Sequence, residues 1–231
     1  GFVALGWIVA VSALRARRRK KAEDAQRLFT LQLLTHELRT PATSLRLSLE
    51  TLRSDFDQLP ETSQKAFLRM CEELQRLDRV VETSKTYLQS EKSIPSAQAH
   101  SVNQLVAKAL EGHTEYVTFT PLPLDRQVSL DPYWTELCIR NLVENALAHG
   151  KPPVKVALSH ERDTVMISVE DQGSVAFSSL DEMTEPFRKD KKSRGLGLGL
   201  AIVRKVVHSM NGELGLRTQP TSFFIKLRSS T

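Results

Sequence analysis

The chain has 231 residues, of which 40% are hydrophobic and 26% charged, a globular composition that suffices for one large or two small domains. Its net charge is +5, but six cations stand in the seven residues RARRRKK (15–21), so a nucleic-acid-binding surface over the rest has little support. Cys71 and Cys138 are far apart and form no CxxC pair. We expect both to be small buried side chains rather than a disulfide or a metal site.

The first 14 residues, GFVALGWIVAVSAL, carry no charge and are followed directly by the basic cluster. A membrane span needs about 20 apolar residues, and the chain begins at Gly1 without a methionine. We therefore interpret residues 1–14 as the C-terminal part of a transmembrane helix and residues 15–24 as a basic juxtamembrane helix, with the chain after about residue 21 in the cytoplasm. The alternatives are the apolar region of a signal peptide, whose charges would come first, and a buried helix of a soluble protein.

The next segment, residues 25–92, is predicted to be a helical hairpin. Leucines at 31, 34, 38, 45, 49 and 52 indicate a helix from about residue 22 to 56 with a narrow apolar seam. DFDQLPET interrupts it, and Thr62 is a candidate N-cap for a second helix with apolar residues at three-four spacing. One hairpin cannot cover its own seams, so we expect two copies to form a dimeric four-helix bundle.

A polar linker, residues 93–101, is predicted to separate this hairpin from a second domain, residues 102–231. Its pattern runs helix, two short strands (115–120 and 127–130), helix, a strand hairpin from 154 to 171, helix, and two final strands. Asp131 and Pro132 are a typical N-cap and first helical residue. We predict an α/β sandwich with a mixed sheet, helices on one face, and a long polar, glycine-bearing loop (171–200) of the functional kind.

The first candidate site is His36 in LLTHELRTPATSLRL. It lies about 200° around the helix from Leu34 and Leu38, so it faces away from the seam, with Thr40 one turn later on the same side. Glu37 can accept an imidazole N–H and leave the other ring nitrogen nucleophilic. Pro41 predicts a bend just past the histidine. Alone, the pair is also compatible with an ordinary exposed histidine.

Three further clusters follow in the second domain. Asn141 and Asn145 share a helix face, and their amide oxygens suit Mg²⁺ held together with phosphate oxygens. Asp171 precedes Gly173 at a strand end, where a carboxylate can accept the exocyclic amine of adenine. Alternating glycines before a helix suit a phosphate-binding loop that is neither a Walker loop nor a dinucleotide fingerprint; these are Gly195, Gly197 and Gly199. An exposed polar pair and a simple turn remain the alternatives for the first two clusters.

In this order and at these separations, the HELRTP, NxxxNA, DxG and GxGLGLAIV segments closely resemble the H, N, G1 and G2 boxes of two-component sensor histidine kinases, over about residues 25–231. The resemblance implies a HisKA-type dimerisation and phosphotransfer hairpin and a Bergerat-fold ATP-binding domain, at a bacterial inner membrane. His36 would accept the phosphoryl group, Glu37 would be its general base, and Thr40 would position water for dephosphorylating a response regulator.

The resemblance also assigns ATP and Mg²⁺ as cofactors. Asn145, assisted by Asn141, would hold Mg²⁺, Asp171 would read adenine, Phe187 matches the F box, and residues 189–194 would form the ATP lid. The nucleotide contacts it implies further include His149, Gly173, Arg194, Gly195, Gly197, Leu198, Gly199 and Leu200, with Arg140 as a possible phosphate contact. Partners would be a second copy of the chain and a receiver domain.

Three departures from the family pattern point to weaker or altered nucleotide binding. Ala148 replaces a basic residue of the N box, Val175 replaces a glycine of DxGxG, and PTSFF stands for the usual GTxF. One alternative is therefore a kinase-inactive dimeric scaffold or regulator phosphatase. Another is a gyrase-like ATPase, but that class has glutamate where Asn141 stands, and an amide cannot act as a general base.

Overall fold

The computed structural model describes residues 2–90, 98–175, 179–188 and 196–229, and within residues 2–21 it describes only a few side chains besides the backbone. The chain divides into two compact units, Gly1–Leu88 and Gln89–Thr231. In the first unit, α1 (Phe2–Arg53) is followed by a short 3-10 turn (Phe56–Gln58) and α2 (Glu61–Ser90). In the part of the chain described here, no helix has both the length and the apolar character that crossing a membrane requires.

The helix α1 continues through Pro41, as the leucine pattern predicts. One local expectation for this hairpin is wrong. Thr62 is not the N-cap, because α2 begins one residue earlier, at Glu61, directly after Pro60. A proline immediately before the first helical residue already separates the helix from the preceding turn.

The leucine seam of α1 is divided between covered and exposed positions. Leu31 and Leu49 are buried within the hairpin, whereas Leu34, Leu45 and Leu52 are each about half exposed. An ion pair joins Arg46 of α1 to Asp78 of α2, and Phe56 of the connecting turn packs on Phe67 of α2 with ring centroids 5.3 Å apart. The helical hairpin is therefore as predicted, and it leaves an apolar stripe uncovered.

The second unit is an α/β sandwich, as predicted. In chain order its elements are β1 (Gln98–Ser101), α3 (Val102–Ala109), β2 (Val117–Thr120), β3 (Gln127–Leu130), α4 (Pro132–His149), β4 (Val154–Glu161), β5 (Thr164–Asp171), α5 (Leu180–Met183), α6 (Gly199–Ser209), β6 (Glu213–Thr218) and β7 (Thr221–Arg228). Five strands form a sheet in the order β2-β4-β5-β7-β6, in which β2 and β4 are parallel and the other neighbours antiparallel.

Two elements of this unit lie where the sequence predicts irregular chain. β1 occupies the end of the predicted linker and pairs with β3 as a separate two-stranded sheet. α5 is a single helical turn inside the long loop, capped by Ser179, whose Oγ accepts from the N–H of Glu182 at 3.2 Å. Both elements are only four residues long, which is too short for a periodic apolar pattern to reveal.

The core lies between the sheet and helices α3, α4 and α6. The N-cap of α4 forms as predicted, with Asp131 Oδ1 accepting from Trp134 N at 3.1 Å. Strand β5 alternates between buried and half-buried side chains along its whole length. Cys138 is fully buried in α4, and burial raises the pKa of its thiol, so it is an inert core residue, while Cys71 is half-buried and both are free thiols.

Candidate functional site

His36 lies on the outer surface of α1. Its side chain is 78% exposed, and its Nδ1 is 3.1 Å from Oε1 of Glu37, which is 67% exposed. Thr40, one turn further along the helix, is also exposed. The first unit thus presents an exposed histidine whose Nδ1 is paired with a carboxylate. The other ring nitrogen, Nε2, lies on the opposite edge of the imidazole.

The second cluster is built around Asp171 at the end of β5. This carboxylate is only 4% exposed, so it must be paired with hydrogen-bond donors. Its Oδ1 accepts from the backbone N–H of Gly173 at 2.6 Å and from that of Lys151 at 3.3 Å. The two backbone donors fix the orientation of the side chain and join the residues after α4 to the residues after β5.

Two glycines make room for this carboxylate. A Cβ at Gly173 would lie 2.7 Å from Oδ1 of Asp171, and a Cβ at Gly150 would overlap the same carboxylate and lie 2.5 Å from the carbonyl oxygen of Ala146. Gly150 has an extended backbone that any residue can adopt. Position 150 therefore requires glycine for space and not for conformation. Because Gly150 and Gly173 lack side chains, space is left beside the buried carboxylate of Asp171, and we call this space the cradle.

The third cluster brings the predicted N and G2 boxes together. Asn141 is half-buried on α4, and its Nδ2 donates to the carbonyl oxygen of Leu137 at 2.9 Å. Its Oδ1 faces the first residue of α6, because a Cβ at Gly199 would lie 2.8 Å from that oxygen. Asn145, one turn along α4, is half-buried as well. The amide pair of α4 and the N-terminus of α6 are therefore neighbours.

The N-terminus of α6 has no side-chain cap. Its N-cap position is Leu198, which is almost fully buried, and the first helical residues are Gly199 and Leu200. The first turn of a helix carries backbone N–H groups without partners inside the helix and a partial positive charge. This end of α6 is therefore suited to bind an anion such as phosphate.

Phe187 and Gly197 form the next contact. The N–H of Phe187 donates to the carbonyl oxygen of Gly197 at 3.1 Å, and both residues have positive φ, 65° and 71°. A Cβ at Gly197 would collide with the backbone of Arg188 and lie 3.0 Å from the carbonyl carbon of Phe187. Glycine is required there by conformation and by space together.

The other predicted site residues contribute less to this geometry. His149, the last residue of α4, is exposed, as are Arg140 and Ala148. Val175 is half-buried. Arg194, Gly195 and the rest of the predicted lid (189–194) lie outside the described residues. The described part of the second unit thus joins the N-box pair, Asp171, Phe187 and the last two glycines of the G2 segment.

Two residues of this region were not identified from the sequence. Thr221 pairs with Asp171 across β5 and β7, and its buried Oγ1 donates to the carbonyl oxygen of Gly173 at 2.9 Å. Gly150 forms part of the cradle described above. The sequence offered two signals for these residues: the TSF triplet within PTSFF and the glycine that ends α4. Only the strand register, however, shows that Thr221 lies opposite Asp171.

Comparisons with known families agree with this arrangement. Residues 26–92 match the His Kinase A (phospho-acceptor) domain, and residues 131–231 match the family of histidine kinase-, DNA gyrase B- and HSP90-like ATPases. Sensor histidine kinase VxrA of Vibrio cholerae is 36% identical over 231 residues, which is 100% of this chain and 45% of the relative. Sensor histidine kinase GtrS of Pseudomonas aeruginosa is 30% identical over 190 residues, which is 80% of this chain and 38% of the relative. The chain spans less than half the length of either relative.

Solved structures share the fold at lower identity. Full-length ShkA in complex with AMPPNP aligns with a TM-score of 0.71 at 22% identity, covering 87% of this chain and 46% of that one. The Acinetobacter baumannii histidine kinase AdeS aligns with a TM-score of 0.58 at 22% identity, covering 85% of this chain and 98% of that one.

The hairpin that bears His36 and the α/β unit with its N-box and glycine clusters together define a phospho-acceptor domain followed by an ATP-binding ATPase domain. The chain belongs to the sensor histidine kinases and comprises a histidine kinase core of a two-component system.

Proposed function

We propose that this chain transfers the γ-phosphoryl group of ATP to Nε2 of His36 and from there to an aspartate of a response-regulator receiver domain. The observation that carries the proposal is the contact between Nδ1 of His36 and Oε1 of Glu37, 3.1 Å long, on an exposed helix face. A nucleophile in that position is open to a phosphoryl donor and then to an acceptor.

The chemistry follows from the ring tautomer. When Nδ1–H donates to the Glu37 carboxylate, the lone pair resides on Nε2. Attack by Nε2 on the γ-phosphorus forms the N–P bond while the bond from that phosphorus to the bridging oxygen breaks and ADP leaves. Glu37 stabilises the positive charge that develops on the ring and takes up the Nδ1 proton as general base.

The clusters of the second unit supply groups that suit ATP. Within the described residues, Oδ2 of Asp171 accepts no hydrogen bond, so it is available to the exocyclic amine of adenine in the cradle left by Gly150 and Gly173. The uncapped end of α6, with Gly199 and Leu200, suits the phosphates. The proposed nucleotide-binding set also includes His149, Phe187, Arg194, Gly195 and Leu198.

The half-buried amides of Asn145 and Asn141 fit Mg²⁺ only when phosphate oxygens complete the ligand set, because two neutral oxygens are a weak site for a hard cation. The ion would neutralise charge on the phosphates. Since the amide of Asn141 cannot deprotonate water, transfer to His36 is favoured over steady hydrolysis of ATP.

The same hairpin supports a dimer and a second activity. The exposed stripe Leu34, Leu45 and Leu52 is an apolar surface that a second copy would cover. Thr40 is exposed one turn from His36, and in this proposal its hydroxyl would orient water for dephosphorylating the regulator. We further infer that the basic cluster at residues 15–21 lies against the cytoplasmic face of the inner membrane, with residues 1–14 continuing an anchoring helix.

The test is incubation of the chain with γ-labelled ATP and Mg²⁺. We expect an acid-labile, base-stable phosphate on the protein that disappears in His36→Gln. The matched control is His208→Gln, which removes an exposed histidine from α6 and should retain the label.

The other outcomes identify the alternatives. Absence of label in the wild type, with regulator dephosphorylation retained, would show the kinase-inactive scaffold or phosphatase. Steady release of phosphate in His36→Gln at the wild-type rate would show a gyrase-like ATPase instead.

A further inference from the structure

The F-box segment that carries Phe187 has little intrinsic stability. It begins with α5, a single turn of four residues, and a helix of that length does not persist without tertiary contacts. Phe187 itself has φ 65°, a left-handed conformation that is unfavourable for a bulky residue. Interactions from elsewhere in the unit must therefore hold this segment in place.

Arg204, in the second turn of α6, supplies two such interactions. Its Nη2 forms an ion pair with Oδ1 of Asp181 at 2.6 Å, and its Nη1 donates to Oγ1 of Thr184 at 2.7 Å. Thr184 is only 3% exposed, and its hydroxyl donates in turn to the carbonyl oxygen of Leu180 at 2.8 Å. The planar guanidinium thus joins both ends of the α5 turn to α6.

The same helix begins at the G2 glycines. A second interaction holds the F-box segment: the N–H of Phe187 donates to the carbonyl oxygen of Gly197 at 3.1 Å. Gly197 lies two residues before the start of α6. The F-box segment and the proposed phosphate-binding end of α6 are therefore joined both by the two contacts of the Arg204 guanidinium and by the hydrogen bond between Phe187 and Gly197.

We propose that Arg204 is a positioning residue for nucleotide binding: it holds α5 against α6 so that Phe187 keeps its hydrogen bond to Gly197 and the end of α6 keeps its shape. The inference deepens the proposed function, on which it rests for the identity of the ligand. Arg204 is half exposed and Asp181 is 81% exposed. An exposed ion pair of this kind contributes little to the stability of the fold. A purely structural role therefore predicts a small change in thermal stability and none in affinity.

The experiment measures binding of AMPPNP with Mg²⁺ by calorimetry, and KM and kcat for ATP in labelling of His36, for four proteins. They are the wild type, Arg204→Ala, Arg204→Lys and, as control, Arg217→Ala, which removes an exposed arginine that lies over the Phe224 ring 5.4 Å away. We expect Arg204→Ala to bind about 3- to 10-fold more weakly, with KM raised by a similar factor and kcat at saturating ATP near the wild-type value. Arg204→Lys should have an affinity between those of the wild type and Arg204→Ala, because one ammonium group cannot make both contacts of the guanidinium.

Equal affinities in Arg204→Ala, Arg217→Ala and the wild type would overturn the inference. If unliganded Arg204→Ala is unfolded at the assay temperature, a fifth protein decides: Asp181→Asn, which removes the ion pair and keeps the Thr184 bond. Wild-type affinity in Asp181→Asn would then overturn the inference, and weaker binding would support it. If the wild type binds nucleotide but never labels His36, the proposed function fails, while the calorimetric comparison still decides the role of Arg204.

Discussion

At the scale of single residues, the proposed adenine end of the site depends on the absence of a side chain at Gly150. Asp171 is a buried acid whose Oδ1 is held by the N–H groups of Gly173 and Lys151. Its usefulness to a ligand depends on where its other oxygen points, and that direction is set by backbone donors. A methyl group beside the carboxylate therefore has more effect than its volume suggests.

Gly150→Ala should lower nucleotide affinity about 10- to 100-fold, the range expected when one hydrogen bond to a charged group is lost. The new Cβ would overlap the Asp171 carboxylate and force it to turn. Isothermal titration with AMPPNP measures the change. Gly112→Ala is the control, because a Cβ there meets nothing within 4 Å although its φ is +84°, so it should reduce stability without changing affinity. Unchanged binding in Gly150→Ala would show that Asp171 does not contact the base.

The geometry of a few residues can be predicted from the sequence where the signal is local. The His36–Glu37 pair is adjacent in the chain, and the Asp131 cap sits directly before its helix, so periodicity and capping rules suffice. Thr221 and Gly150 were missed because their importance comes from Asp171, which is 50 and 21 residues away respectively. The partner of a strand residue depends on sheet register, which a single sequence does not contain.

At the scale of elements, α1 carries two apolar surfaces instead of one seam. Leu31 and Leu49 pack inside the hairpin, while Leu34, Leu45 and Leu52 remain about half exposed. The uninterrupted leucine pattern could not separate these sets, since neighbouring stripes of a helix differ by only about 40–60° and both follow three-four spacing. The short elements β1 and α5 were not predicted, because four residues are too few to show a periodic pattern of apolar side chains.

Leu45→Glu should therefore dissociate the proposed dimer. Each dimer loses two buried leucines, worth about 1.5–3 kcal/mol apiece before the cost of burying charge, so the dissociation constant should rise at least roughly 100-fold. Sedimentation equilibrium gives the constant. Leu47→Glu is the matched control, because Leu47 is 60% exposed and lies on the His36 side of α1. The assignment of the dimer surface is wrong if Leu47→Glu dissociates the dimer and Leu45→Glu does not.

At the scale of the whole molecule, the sequence identified both domains and the order of the boxes, because each box is a local pattern and their order along the chain is visible. The structure adds that α1 is one helix from Phe2 to Arg53, which includes the basic cluster and His36. A rotation of the N-terminal part of α1 would reach His36 and Pro41 without an intervening module. We infer that an input signal is transmitted along this helix directly.

Inserting one alanine between Ala22 and Ala25 should change the ratio of autophosphorylation to regulator dephosphorylation. One added residue turns the two parts of the helix relative to each other by about 100°. A seven-residue insertion turns them by about 20° in total and should restore a ratio near that of the wild type. Both rates are read from labelled ATP and a labelled regulator. If neither insertion alters either rate, direct transmission along α1 is excluded.

In the proposed transfer, Nε2 of His36 accepts the phosphoryl group because Glu37 engages Nδ1. The most direct measurement is nuclear magnetic resonance of the ¹⁵N-histidine-labelled chain after reaction with ATP, in which nitrogen–phosphorus coupling identifies both the residue and the ring nitrogen. We expect a single phosphorylated histidine, His36, with phosphorus on Nε2. Phosphorus on Nδ1 of His36, or on any other histidine of the chain, would contradict it.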